Sequence, residues 1–202
     1  MSRAWRRRLR RLWHEWIKPL LVVAIVLGSF RSAIADWNDV PTNSMQPTIL
    51  PGDRVFVNKV AYDLRVPFTT WRVGAWGAPE RGDIVVFDSP HDGKRLVKRV
   101  IGVPGDRVEM RDYRLIVNGV RAGFRLTGVQ HPAGRLVRET LVGRSHLILA
   151  NPEKPSMPSF EPVTVPPDSY VVMGDNRDNS FDSRWFGYVK RTRIFGAVSY
   201  TH

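Results

Sequence analysis

Twelve uncharged residues in a row, PLLVVAIVLGSF from Pro19 to Phe30, follow directly on MSRAWRRRLRRLWHEWIK, and they constrain the chain more than any other feature. The first eighteen residues hold six Arg, one Lys and one Glu, which is half of the formal net charge of +12. A basic arm beside an apolar run is the pattern of a segment that enters a membrane with its positive end inside. Counted from Trp16 to Ala35 the segment is 20 residues long, about the length of helix that crosses a hydrocarbon core of roughly 30 Å. Lys18 and Arg31 sit near its ends, where long side chains can snorkel. Residues 1–15 then read as a cytoplasmic basic tail, 16–35 as one transmembrane helix, and everything from residue 36 as extracytoplasmic. A cleaved secretory signal competes with this reading, because the charged start, the short apolar core and Ala33-Ile34-Ala35 resemble its three regions. A nucleic-acid-binding arm is the remaining reading of the Arg run. The apolar neighbour argues against it, so membrane lipid and not nucleic acid is the expected partner.

With 202 residues the chain can hold one sizeable domain or two small ones, and the lack of cysteine removes disulfides, thiolate zinc sites and a cysteine nucleophile. From residue 53 onward short runs rich in Val, Ile, Phe and Tyr alternate with Gly, Pro, Asp and Asn: DRVFVNKVAY, GDIVVFDSP, RLVKRVIGVPGD, RLIVNGV, SYVVMGD and IFGAVSY. Such runs read as strands, and the fold class is mostly β. GDRV at Gly52, GDIV at Gly82 and GDRV at Gly105 look like one turn used three times, with Gly at positive φ and Asp bonded to nearby backbone N–H groups. Many prolines and few long apolar runs set residues 121–168 apart. The expected organisation is an extracytoplasmic β domain, 36–109 and 169–202, carrying a loop-rich β insertion at 110–168.

Ser44 lies in PTNSMQPTILPGD, just beyond the apolar segment. A serine hydroxyl is a weak nucleophile without a base to take its proton, and none of the five histidines stands in a motif that links it to Ser44. Lysine can serve if burial leaves much of its amine neutral. Lys98 in RLVKRVIGVPGD is the candidate: strand alternation groups it with Leu96 and Val100, while Arg99 groups with Val97 and Ile101 and needs solvent or an acid. Each residue also has an ordinary reading, Lys98 as a charge on a solvated edge strand and Ser44 as loop chemistry. The third element is VVMGDNRDNSFDSRWFGYV, Val171 to Val189. It is not a calcium loop, since Arg177 takes the third position, the sixth is not Gly and the twelfth is Phe186 instead of Glu; no metal site is expected. A buried polar network fits better, with Asp182 and Arg184 able to pair and Ser180 free to hold a second group.

SMQPTILPGD, GDIVVF, KRVIGVPGD and GDNRDNSFDSR, in that order, resemble the boxes of bacterial type I signal peptidase, a membrane-anchored serine protease with a serine–lysine dyad. The resemblance implies Ser44 as nucleophile and Lys98 as general base, with Ser180 orienting the amine and the Asp182–Arg184 pair supporting that wall. It implies an oxyanion hole made of the Ser44 N–H and the Thr42 hydroxyl. It further implies a signal-peptide segment of a secreted preprotein added as a strand along Gly82–Phe87, taken as an edge strand and including Asp83, Ile84, Val85 and Val86. Small side chains would enter apolar pockets for which Val40, Met45, Val86 and Leu96 are candidates. No cofactor is implied, and the location is the bacterial cytoplasmic membrane. Trp71, Trp76 and Phe68 are candidates for the lipid interface, with core packing as the other reading. A pilin-processing relative with the same dyad stays open, as do a noncatalytic tethered β domain and a basic docking protein. A self-cleaving repressor does not, because a membrane-type segment stands where its DNA-binding helices would be.

Overall fold

The computed structural model describes residues 12–33, 35–65, 71–151, 153–154 and 156–199. A π-helical turn, Trp13–Ile17, runs into helix α1, Lys18–Ala33, of 16 residues. Among the described residues no helix is long and apolar enough to cross a membrane. The expected span also ends earlier than residue 35, because strand β1 (Ala35–Asp39) begins there.

The main sheet takes β1, β2 (Arg54–Asn58), β5 (Ile84–Asp88), β6 (Arg95–Gly102), β14 (Ser169–Met173), β15 (Val189–Lys190) and β16 (Ile194–Ser199), in the order β1-β2-β16-β5-β6-β14-β15 and antiparallel throughout. β3 (Asp63–Arg65) and β4 (Arg72–Ala75) form a separate hairpin. All six of the runs read as strands contain one. In β5, Ile84 and Val86 join one apolar cluster, with Val40, Met45, Ile49, Val55 and Val57. Val85 and Phe87 join another, with Tyr62, Val100, Val172 and Ile194. A strand buried on both faces has no polar alternation, which is why IVVF is uniformly apolar.

That placement corrects the expectation that Gly82–Phe87 is an edge strand. β5 pairs with β6 through Ile84↔Arg99 to Asp88↔Arg95 and with β16 through Ile194↔Phe87 and Ala197↔Val85. The carboxy-terminal strand returns to cover it, a long-range pairing that no local pattern announces.

The insertion is less loop-rich than its prolines suggest. β10 (Gly123–His131), β11 (Gly134–Leu141) and β12 (Arg144–Ala150) form a three-stranded meander. β7 (Arg107–Arg111), β8 (Arg114–Val117), β9 (Val120–Arg121) and β13 (Phe160–Thr164) form a four-stranded sheet in the order β13-β7-β8-β9. Ile101 of β6 and Val171 and Met173 of β14 share a cluster with Val108, Met110 and Leu115, which fastens the insertion to the main sheet.

The three Gly-Asp turns have one geometry. Gly52, Gly82 and Gly105 take φ of 89°, 91° and 87°, a region that only Gly enters freely. In each turn the following Asp carboxylate accepts the N–H three residues back, from Leu50, Glu80 and Val103 at 2.7, 3.0 and 2.9 Å.

Candidate active site

Ser44 lies in a single 3-10 turn, Asn43–Met45, just after β1. Burial of Val40, Met45 and Ile49 against Ile84 and Val86 pins this turn to the sheet. Its ends are closed by Val40 N–H to Asp53 O at 3.0 Å and Gly52 N–H to Val40 O at 2.8 Å. The hydroxyl therefore has a fixed position. Lys98, on β6 and 2% exposed, brings its Nζ within 2.7 Å of Ser44 Oγ and 2.9 Å of the Val97 carbonyl. Burial pushes the Lys98 pKa down from 10.5 to about 8, against the opposing pull of Asp182 and Asp175. No carboxylate pairs with its amine among the described residues, so a neutral form is within reach near neutral pH. Thr42 Oγ1 lies 3.3 Å from Ser44 Oγ, on the exposed side of the turn.

The loop after β14 forms the opposite wall. A Cβ on Gly174 would stand 2.5 Å from Ser44 O and would collide with Ser180 Oγ, so only Gly lets this backbone approach. The Gly174 N–H donates to Asp182 Oδ2 at 3.0 Å, and Asp182 is gripped at both oxygens by Arg184, at 2.8 Å each. Burial alone would raise the Asp182 pKa, but Arg184 and the Gly174 N–H hold it below the usual carboxylate range. The Ser180 hydroxyl is buried without a well-formed hydrogen bond among the described residues, but it lies near enough to Asp182 to help hold the pKa of that carboxyl low. It shares a cavity lining with Ser44, Thr42 and Lys98, and the Lys98 amine donates to Ser44 and Val97.

A cavity of about 170 Å³ opens beside Ser44, lined on one side by Asn38–Thr42 and on the other by Arg95–Lys98. Val40, Met45, Val86 and Leu96, the residues expected to form pockets, all line it. Asp83, Ile84 and Val85 do not. Asp83 accepts from Tyr62 Oη at 2.8 Å, and Ile84 and Val85 are buried in the core. The open backbone edge lies instead on β6. Among the described residues β14 pairs with it only between Arg99 and Gly102, which leaves Arg95–Lys98 without a strand partner on that side. Trp71 and Trp76 are exposed; Phe68 lies outside the described residues.

Several residues outside the expected site hold this arrangement, and of their pairings sequence reasoning marked only the need of Arg99 for solvent or an acid. Asn176 donates its backbone N–H to Ser44 O at 3.0 Å and its side-chain amide to Asn43 O at 3.1 Å. Arg99, next to Lys98, meets Asp175 at 2.8 and 2.7 Å, and Thr48 donates to the same carboxylate. From the insertion, Glu139 receives both terminal nitrogens of Arg177 at 3.0 and 2.5 Å, and Tyr113 donates to Asp178 at 2.9 Å.

The chain is thus mostly β and sets a serine hydroxyl against a buried amine beside an apolar cleft. Comparison with known proteins supplies the family: residues 13–202 match the one described as signal peptidase, peptidase S26, and the chain belongs to it. It is 37% identical over 178 residues to signal peptidase I of Pseudomonas aeruginosa, covering 85% of this chain and 61% of that protein. Signal peptidase I of Bacillus licheniformis is 32% identical over 92% of this chain and 86% of its own length. The match spans about three fifths of the length of the relatives from P. aeruginosa and Pseudomonas fluorescens. A solved signal peptidase I from Enterococcus faecalis aligns with 62% of this chain at 32% identity and a TM-score of 0.40.

Proposed function

We propose that the chain is a membrane-anchored serine endopeptidase that removes signal peptides from secreted preproteins through a Ser44–Lys98 dyad. The observation that carries this reading is the 2.7 Å contact between Lys98 Nζ and Ser44 Oγ inside a buried site. Neutral Lys98 takes the Ser44 proton as Oγ attacks the scissile carbonyl. The Ser44 N–H and the Thr42 hydroxyl receive the oxyanion. Lys98, now charged, protonates the leaving amine; neutral again, Lys98 takes a proton from the water that attacks the acyl-enzyme and passes it to Ser44 Oγ as the acid is released. Ser180 steadies the amine through its remaining donor, and Asp182 with Arg184 keeps the Gly174 wall in place.

The substrate lies as an added strand on the open edge of β6 at Arg95–Lys98, facing Asn38–Thr42. A cavity of about 170 Å³ is below the roughly 300 Å³ of a drug-sized pocket, which suits small side chains next to the cut. Residues 36–109 and 169–202 form the catalytic part and 110–168 an accessory insertion.

Anchoring by the N-terminal segment, with residues 1–15 cytoplasmic and the catalytic part outside, rests on its exposure. Leu20, Leu21, Val22, Val23, Ile25, Val26 and Leu27 are all exposed, and a helix apolar on every side needs an apolar surrounding. From Trp16 to Ala33 the helical residues of the π-helical turn and α1 reach about 27 Å at about 1.5 Å per residue.

The test is cleavage of a preprotein with a small-x-small site by membranes holding the chain, beside a pilin-like substrate. Cleavage after the small residue by the parent, and none by Ser44→Ala, is expected. An active Ser44→Ala form ends the reading, and exclusive cutting of the pilin-like substrate replaces its substrate class. Release of the chain by alkaline carbonate would end the anchoring part.

A further inference from the structure

Glu139 belongs to none of the four sequence boxes and sits on β11, the middle strand of the insertion's three-stranded sheet. It is fully buried, between Val137 and Leu141, which are buried as well. Leaving a carboxylate there is costly unless it is paired. Its partner is Arg177, also fully buried, which grips both carboxylate oxygens, while His146 Nε2 comes within 3.1 Å of Oε2.

The remaining guanidinium nitrogen of Arg177 reaches toward the active site. Arg177 Nε donates to the Gly174 carbonyl at 3.3 Å, and the Gly174 N–H is held by Asp182. Gly174 is thus fixed at both backbone groups, and it is the residue against which Ser44 O and Ser180 Oγ pack. The adjoining strand β12 adds a second tie: Leu149 N–H donates to Asp175 O at 2.9 Å, and the next residue, Asn176, holds the carbonyls of Ser44 and Asn43. A peptide group is planar and trans, so its C=O and N–H point in opposite directions. With the Asn43 carbonyl turned to Asn176, the Ser44 N–H is turned away from it.

We infer that Glu139 is a positioning residue: through Arg177 it holds the Gly174–Asn176 backbone against Ser44 and so keeps the nucleophile and its N–H aligned for reaction. This rests on the proposed peptidase function. A buried ion pair is often replaceable by apolar side chains without loss of stability, so alignment and stability can be separated by experiment. Glu139 touches neither the cavity beside Ser44 nor the open edge of β6, which places its effect on turnover and not on substrate binding.

The experiment uses the full chain with Glu139→Gln and, in a second variant, Glu139→Met with Arg177→Leu, which replaces both charges. Melting temperature, kcat, KM and amide exchange at Gly174 and Asn176 are measured for each. The expected result is a fall in kcat of about 100-fold with KM within threefold, faster exchange at Asn176, and a melting temperature of the double variant at or above that of the parent. Glu139→Asp, which restores the charge, is expected to recover part of kcat. A folded variant with the parent's kcat and unchanged exchange overturns the inference, and should the double variant fail to fold, Glu139→Gln decides on the same measurements. Should the parent itself cut no preprotein, the peptidase reading falls, and the exchange rates alone decide whether Glu139 holds the loop.

Discussion

Lys98 and Arg99 are consecutive residues of one strand, both cationic and both buried, at 2% and 5% exposure, yet their surroundings set them to opposite tasks. Arg99 meets the Asp175 carboxylate with two nitrogens and the Gly82 carbonyl with a third. Lys98 meets a hydroxyl and a backbone carbonyl. A guanidinium keeps its proton under all ordinary conditions, and its planar fork suits a carboxylate. An amine can give its proton up when burial is not balanced by a direct counter-ion. The same burial therefore produces a structural ion pair at one position and a group able to act as a base at the next.

The largest break in that comparison removes the amine or its partner. Lys98→Ala and Ser44→Ala are each expected to lower cleavage by about 10⁴-fold or more, as with paired catalytic groups elsewhere. Steady-state assays on a preprotein would show this, and a Lys98→Ala form with more than a hundredth of parental kcat/KM would refute the pairing. In the parent, kcat/KM should climb as pH rises toward about 8, the value to which burial lowers Lys98, because only the neutral amine accepts the serine proton. A flat profile between about pH 6 and 9 would speak against it.

Breaking the other member should instead cost stability. Arg99→Met leaves Asp175 buried without its partner, and a loss of roughly 3–5 kcal/mol is expected, measurable by urea unfolding. Asp175 already pulls the Lys98 pKa upward. With Arg99 gone that pull is less compensated, so the rising limb of the activity profile should move to higher pH. A move to lower pH would show that Arg99 does not shield Lys98.

The opposite sign is expected for Lys98→Met. The folded pKa of Lys98, about 8, lies below its ordinary 10.5. Between those values the unfolded chain binds more protons than the folded one, so the parent gains stability as pH rises across that window. Below it the full cost of burying the charge is present. Lys98→Met should therefore be more stable than the parent at pH 7, by roughly 3 kcal/mol, with the gain shrinking from about pH 8 to 10.5. Equal stability at pH 7 would mean that the ammonium is better solvated than its burial implies.

The sequence made one member of the comparison readable and left the other half-read. Lys98 stood out because an unexplained lysine among Leu96, Val97, Val100 and Ile101 is itself a signal. Arg99 was seen to need a partner, but strand alternation does not say that Asp175, on a distant loop, supplies it. Glu139 had a signal that went unused: Val137, Glu139 and Leu141 alternate, which puts an acid on a buried face. The three Gly-Asp turns were legible because their geometry is local. The covering of β5 by β16 was not, since it depends on a pairing between residues about a hundred positions apart. The β10–β12 meander was hidden by surface strands with exposed Arg125 and Arg138, whose pattern lacks long apolar runs.

The smallest expected effect concerns Thr42, where the two cations have no direct part. Its hydroxyl lies 3.3 Å from Ser44 Oγ on the exposed side of the turn, and its proposed task is to donate to the oxyanion. A buried donor of this kind is worth about 10²–10³ in kcat. Because Thr42 faces water, which can replace part of its bond, Thr42→Val should cost about tenfold to a hundredfold in kcat with KM nearly unchanged. Thr42→Ser keeps the oxygen and loses only a methyl, so it should restore most of the activity. If Thr42→Val and Thr42→Ser were equally impaired, the methyl would matter and not the donor. The residue would then act by restricting its own rotamers and the shape of the turn, and the Ser44 N–H would hold the oxyanion without it.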